Sequence, residues 1–275
     1  YAGRELVWIS APNGVAEIIN NRNNSWQFEN YLTYTKRFAI IHSLTAMAGI
    51  SWQHVDNSSS TAFASGFNDD FFKYNNLGIG TSPTVASSAN AYGLNSYFTR
   101  INYGLKNKYL LTATARFDGS SKFGESNRYA FFPSVGTAWR ISEEPFMKSV
   151  SAISNLKIRA SYGMTGNSET SAYASQGNLG NYKSIIGGSK VSGIGVSALA
   201  NPELQWEKTS QVNAGFDLGL LNNRINMEMD LYYKKTTNML LGAPVPASSG
   251  YTSITKNVGS MRNEGFEFSI NTLNI

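Results

Sequence analysis

Polar and apolar residues alternate with a period of two along most of this chain. Between Tyr109 and Phe117 the odd positions read Tyr109, Leu111, Ala113, Ala115 and Phe117, and the even ones Leu110, Thr112, Thr114 and Arg116. Successive side chains of a strand point to opposite faces, so this segment predicts a ribbon with one apolar and one polar side. The same rhythm predicts about nine strands in all. They fall at Trp26–Tyr34, Phe38–Gln53, Leu94–Leu105, Tyr109–Phe117, Tyr129–Ile141, Leu156–Thr165, Trp206–Leu218, Ile225–Lys234 and Met261–Asn271. Pro133 removes a ladder donor and predicts a bulge or an edge in the fifth. Ser142–Val150 interrupts the pattern, and Ser142 is placed to cap a short helical turn.

The connections alternate too. Thr35–Arg37, Lys106–Lys108 and Leu221–Arg224 are tight turns, whereas long polar loops lie near residues 1–25, 55–91, 166–205 and 236–258. Short turns at one end and long loops at the other are the habit of outer-membrane barrels. The apolar faces carry almost no charge, with Lys208 an exception at a strand end. Aromatics gather towards both ends. Tyr34, Phe38, Tyr103, Tyr109 and Trp139 lie by the short turns; Trp52, Phe117, Tyr162, Tyr233 and Phe266 lie by the long loops. Two such girdles mark the two membrane interfaces. The fold class expected is all-β: the wall of an antiparallel transmembrane β-barrel, with residues 1–275 belonging to one barrel domain.

Composition agrees. Only 15% of the 275 residues are charged and 13% are aromatic, against about 25% charged in soluble domains. No apolar run approaches the roughly 18 residues of a membrane helix, but a barrel strand needs only about 9–11, half of them polar. The net charge of +5 is scattered rather than clustered, which gives nucleic-acid binding little support. The chain has no cysteine, which excludes thiolate chemistry. It opens on Tyr1 without a signal peptide, as expected of a processed chain or an internal piece of a longer one.

Four stretches carry a resemblance. They are KYLLTATARFDGSSKFGESNRYAFFPSVGTAWRISEEPF (Lys108–Phe146), ISNLKIRASYGMTGN (Ile153–Asn167), NPELQWEKTSQVNAGFDLGLLNNRINMEMDLYYKKTTNMLL (Asn201–Leu241) and NVGSMRNEGFEFSI (Asn257–Ile270). In these the chain resembles the barrel of SusC/RagA-type TonB-dependent transporters of the Bacteroidetes outer membrane. The resemblance implies a barrel of about 22 strands, closed by an N-terminal plug and capped by a SusD-like surface lipoprotein. It implies energy drawn from the TonB complex through that N-terminal part, and oligosaccharide or peptide cargo. Plug and final strands are absent from the sequence, and an open sheet in lipid leaves backbone groups unsatisfied, so a fragment of a longer importer is expected. The competing expectation is a non-transporting all-β surface or secreted interaction protein, for which a stable soluble monomer is the discriminating observation.

Candidate chemistry is sparse. His42 and His54 lack a metal-ligand spacing, Asp69 and Asp70 lack the periodicity of a calcium loop, and Gly78–Gly80 lacks the context of a phosphate loop. No enzyme, cofactor or metal site is expected. The polar face is the better candidate. Arg100, Arg116, Asp118, Arg140, Lys157, Arg159, Asp217, Glu228, Asp230 and Glu267 are expected to face the lumen, either to contact plug or cargo or to pair across strands in a wet wall. Phe71, Phe72, Tyr74, Tyr173 and Tyr182 are loop aromatics, able to stack on sugar rings or to hold the loops together.

Overall fold

The computed structural model describes residues 14–274. Its strands, in chain order, are β1 (Val15–Phe38), β2 (His42–Ser65), β3 (Thr84–Leu105), β4 (Tyr109–Ser120), β5 (Tyr129–Arg140), β6 (Ile153–Asn167), β7 (Asn178–Ile186), β8 (Ser189–Ala198), β9 (Glu207–Leu220), β10 (Ile225–Thr237), β11 (Leu240–Pro244), β12 (Ser253–Asn257) and β13 (Ser260–Thr272). Nine of them form one sheet in the order β1-β2-β3-β4-β5-β6-β9-β10-β13, while β7-β8 and β11-β12 are separate hairpins. The expected wall of about nine antiparallel strands is therefore the fold.

Several expected boundaries move. The first turn is at residues 39–41 rather than Thr35–Arg37, with Ala39 and Ile40 at φ +49° and +60°. Residues 15–25 are strand, not loop, and β2 and β3 reach far into the stretch expected as a loop at 55–91. Residues 1–13 lie outside the described part. The loop expected at 166–205 contains the β7-β8 hairpin, and that at 236–258 contains β11-β12. Ser142 lies inside a single 3₁₀ turn, Ile141–Glu143, and caps nothing. Pro133 stands where β5 parts from β6: their register ends at Ser134–Gly163, while β5 continues along β4 to Tyr129.

Two compact units divide the described residues. One comprises residues 14–27 and 53–93, the other residues 28–52 and 94–274. In the first, Ala16, Ala64 and Phe67 are buried with Leu77 against them. Its paired strands are polar on one side, where Asn21 accepts from Ser59 and Asn57 is bonded to both Asn23 and Asn90.

The second unit holds most of the sheet. Register puts Tyr109, Leu111, Ala113, Ala115 and Phe117 of β4 opposite Trp139, Thr137, Val135, Pro133 and Phe131 of β5. Farther along, Leu218, Phe216, Ala214 and Val212 of β9 face Met227, Met229, Leu231 and Tyr233 of β10. These apolar residues remain open: Val212 is 49% exposed, Leu231 52% and Phe266 56%. A contiguous apolar face of this size on a soluble protein would be an association site. As a lipid-facing wall it is self-consistent, because each strand carries about the nine residues that a tilted strand needs to cross the hydrocarbon.

Candidate functional site

The polar face of the second unit is built by register. β6, β9 and β10 are neighbours, so alternation sends Lys157 and Arg159, Asp217, and Glu228 and Asp230 to one side. Lys157 pairs with Asp217, whose other oxygen accepts from Arg159 Nε at 2.8 Å. Arg159 Nη2 donates across to Asp230 at 2.9 Å, so one guanidinium links acids on two other strands. Beside it a hollow of about 290 Å³ opens, lined by Thr112, Ser161, Asn213, Arg159 and Asp230, with glycines 136 and 215 in its floor. A Cβ on Gly215 would lie 2.6 Å from the Met229 carbonyl oxygen, so the close approach there requires glycine.

The other predicted charges are dispersed. Arg116 is bidentate to Asp118 on its own strand, at 3.0 and 3.2 Å, with its guanidinium 5.5 Å from the Phe98 ring centroid. Arg100 sits opposite Thr114 and makes no ion pair among the described residues. Glu228 lies opposite Asp217, and Glu267 opposite Asp230, adding acid to the network without a pair of their own among the described residues. Arg140 is at the short-turn end, donating to the Asn107 carbonyl at 3.1 Å and to Glu143 at 2.8 Å.

The loop aromatics are divided between the two units. Phe71 and Phe72 pack edge to face at 5.1 Å in the first unit, where Phe71 is 82% exposed and Tyr74 is also open. In the second unit Tyr173 lies in a turn, and Tyr182 is spent on its own hairpin, donating to the Val196 carbonyl at 2.8 Å.

Two constructions escaped the sequence. At the short-turn end Glu144 takes Lys108 Nζ at 2.9 Å, the Tyr109 hydroxyl at 2.7 Å and Trp139 Nε1 at 3.1 Å. Those donors, Lys108 first, hold its carboxyl down to about 2. Trp139 and Tyr109 are stacked at 6.2 Å, so this carboxylate orients two rings of the girdle. At the long-loop end Phe123, Ala130, Phe132, Leu204 and Trp206 form a buried cluster. Trp206 Nε1 donates to the Arg128 carbonyl at 2.9 Å, and the Asn257 side chain bonds the backbone at Gln205 and Asn238. The aromatic residues of GSSKFGESN and NPELQW were the available signal. Among the described residues no group of acids and histidines is arranged to hold a metal.

A profile described as TonB dependent receptor-like, beta-barrel, matches residues 6–274. A TonB-dependent receptor of Formosa agariphila is 37% identical over 265 residues, 95% of this chain and 27% of that protein. The TonB-dependent receptor SusC of Bacteroides thetaiotaomicron is 41% identical over 181 residues, 64% of this chain and 18% of its own. A solved structure of the RagAB peptide transporter superposes with a TM-score of 0.82 at 33% identity, over 92% of this chain and 28% of that one. The chain thus spans about a quarter of the length of the first curated relative, 27%. Proteins of this family are transporters and receptors of the outer membrane. This chain belongs to the TonB-dependent receptor-like β-barrel family and forms part of the wall of a larger barrel.

Proposed function

We propose that the whole protein is an energised outer-membrane importer of oligosaccharides or peptides. In this reading the apolar face meets lipid, the polar face lines the lumen, and the long connections open outward. A SusD-like lipoprotein covers the outer mouth, and the TonB complex acts through an N-terminal plug. The carrying observation is the wall itself: a charge-poor face left open beside a face of cross-strand ion pairs, at 33% identity to a peptide transporter. On this assignment Arg100, Arg116, Asp118, Arg140, Arg159, Asp217, Glu228, Asp230 and Glu267 belong to the lumen. The Arg159 network and its hollow are the best-built place for a polar group of plug or cargo to dock. Phe71 is the most open of the candidate cargo aromatics, at 82%. A non-transporting interaction protein is less well supported, because its apolar face would need a protein cover and Phe266 is 56% exposed.

The test is growth. A strain lacking the full-length gene is expected to lose growth on one class within a panel of oligosaccharides and peptides, and to recover when the gene is restored. Unimpaired growth and uptake across the panel, with the protein confirmed in the outer membrane, refutes the importer reading.

A further inference from the structure

The open face changes character at the long-loop end of three adjacent strands. On β9 the residues sharing this face run Leu220, Leu218, Phe216, Ala214 and Val212, then Ser210 and Lys208. On β10 they run from Ile225 through Met227, Met229, Leu231 and Tyr233 to Lys235 and Thr237. On β13 they run from Thr272 through Ile270, Phe268 and Phe266 to Glu264, Arg262 and Ser260. The band is uncharged until the level of Tyr233 and Phe266, and directly beyond it come Lys208, Lys235 and Arg262 with a single acid, Glu264.

Register makes this a cluster rather than a scatter. Lys235 stands directly opposite Arg262 on one side and Ser210 on the other. Lys208 is opposite Thr237, one step diagonal from Lys235, and its other neighbour is Gly166. Like charges opposite each other across a ladder repel. Glu264 answers only Arg262, gripping it at 2.7 and 3.1 Å, while the guanidinium lies 5.5 Å from the Tyr233 ring centroid. Lys208 and Lys235 make no ion pair among the described residues. Between the cations stand only Ser210 and Thr237, which bring no opposing charge.

We propose that Lys208, Lys235 and Arg262 bind the phosphate of a phosphorylated lipid headgroup in the outer leaflet. The argument is charge complementarity joined to position. The site faces the same way as the apolar band and sits just above its aromatic edge, where headgroups lie. Basic clusters at such a depth attract anionic headgroups, and Arg262, already oriented by Glu264 and Tyr233, presents its remaining donors there. The inference rests on the lipid-facing assignment of the band, but not on what the protein transports.

The test uses the full-length protein in phosphatidylcholine vesicles doped with spin-labelled phosphatidic acid or, in parallel, spin-labelled phosphatidylcholine. The wild type is expected to enrich the phosphatidic acid in its immobilised shell. Lys208→Gln with Lys235→Gln is expected to reduce that enrichment about thirtyfold, as removal of two surface cations implies. Lys208→Arg with Lys235→Arg is expected to restore it, and millimolar inorganic phosphate to leave it unchanged. Equal enrichment by the wild type and the Gln pair overturns the site, and complete displacement by inorganic phosphate overturns the lipid as its ligand. In both cases an importer that still inserts and transports stands, so the two readings fail separately.

Discussion

Ala113 and Thr112 are chain neighbours, yet an arginine is expected to have opposite fates at the two positions. Ala113 is the central residue of the charge-free run on β4, opposite Ile101 and Val135. At about 3.3 Å per residue it lies about 13 Å along the strand from either end, or about 10 Å in depth for a tilt near 40°. An arginine reaches about 7 Å, too little for its head to leave the hydrocarbon fully. Replacing alanine removes almost no packing, so Ala113→Arg measures this exposure to lipid and is expected to cost about 2–3 kcal/mol. Thr112 points to the polar face and donates to Asn102 Oδ1 at 2.9 Å. Thr112→Arg forfeits that exposed bond, about 0.5–1 kcal/mol. The assay is urea unfolding of the full-length receptor in lipid vesicles, followed by tryptophan fluorescence. The variants should differ by about 2 kcal/mol, roughly thirtyfold in the folding equilibrium. Ala115→Arg, two residues nearer the girdle, should fall between them. Equal losses at positions 112 and 113 would refute the assignment of faces.

Other expectations follow from the contacts. In a double-mutant cycle, Arg159→Met and Asp230→Asn should couple by about 1 kcal/mol, the upper end for partly exposed pairs; strictly additive losses in the same urea assay would mean that the cross-strand bridge contributes nothing. Glu144 titrates near 2 in the folded chain against an ordinary 4.5, so the stability it adds is whole above the ordinary value and fades as acid carries the pH down through about 2. Melting scans should show that fading in the wild type and lack it in Glu144→Gln, and identical acid profiles would discount the cluster. Gly215→Ala should lower the folded yield, read as the heat-modifiable band on a gel, because the new methyl meets the Met229 carbonyl; Gly136→Ala, whose nearest neighbour is 3.6 Å away, should be tolerated.

The strands were legible wherever one face was apolar. β4, β9 and β10 announce themselves by alternation, and each ends within a few residues of its expected limits. β1 and β2 outrun expectation because their far halves alternate polar with polar, as in Asn21, Asn23, Asn57 and Ser59, and such ladders carry no hydrophobic signal. The β7-β8 hairpin had a mark that went unread: Gly187 and Gly188, both at positive φ, form the two-residue turn that a tight hairpin favours. That the charged residues share one polar face was also legible, since period two decides it. Their partners were not, because Arg159 meets Asp230 only once β9 has been placed between their strands. Glu144 was hidden for the same reason, its donors at positions 108, 109 and 139 being unrelated by any spacing.

The buried knot of Phe123, Phe132, Leu204 and Trp206 fastens the roots of the long connections to one another. A stretch anchored at its base can be rewritten at its tip without disturbing the staves below. The hairpin between residues 178 and 198 hangs beyond that fastening, paired chiefly with itself. On the importer reading proposed above, a lineage of such proteins is free to exchange tips like bits in a chuck while the part soaked in fat stays as it was.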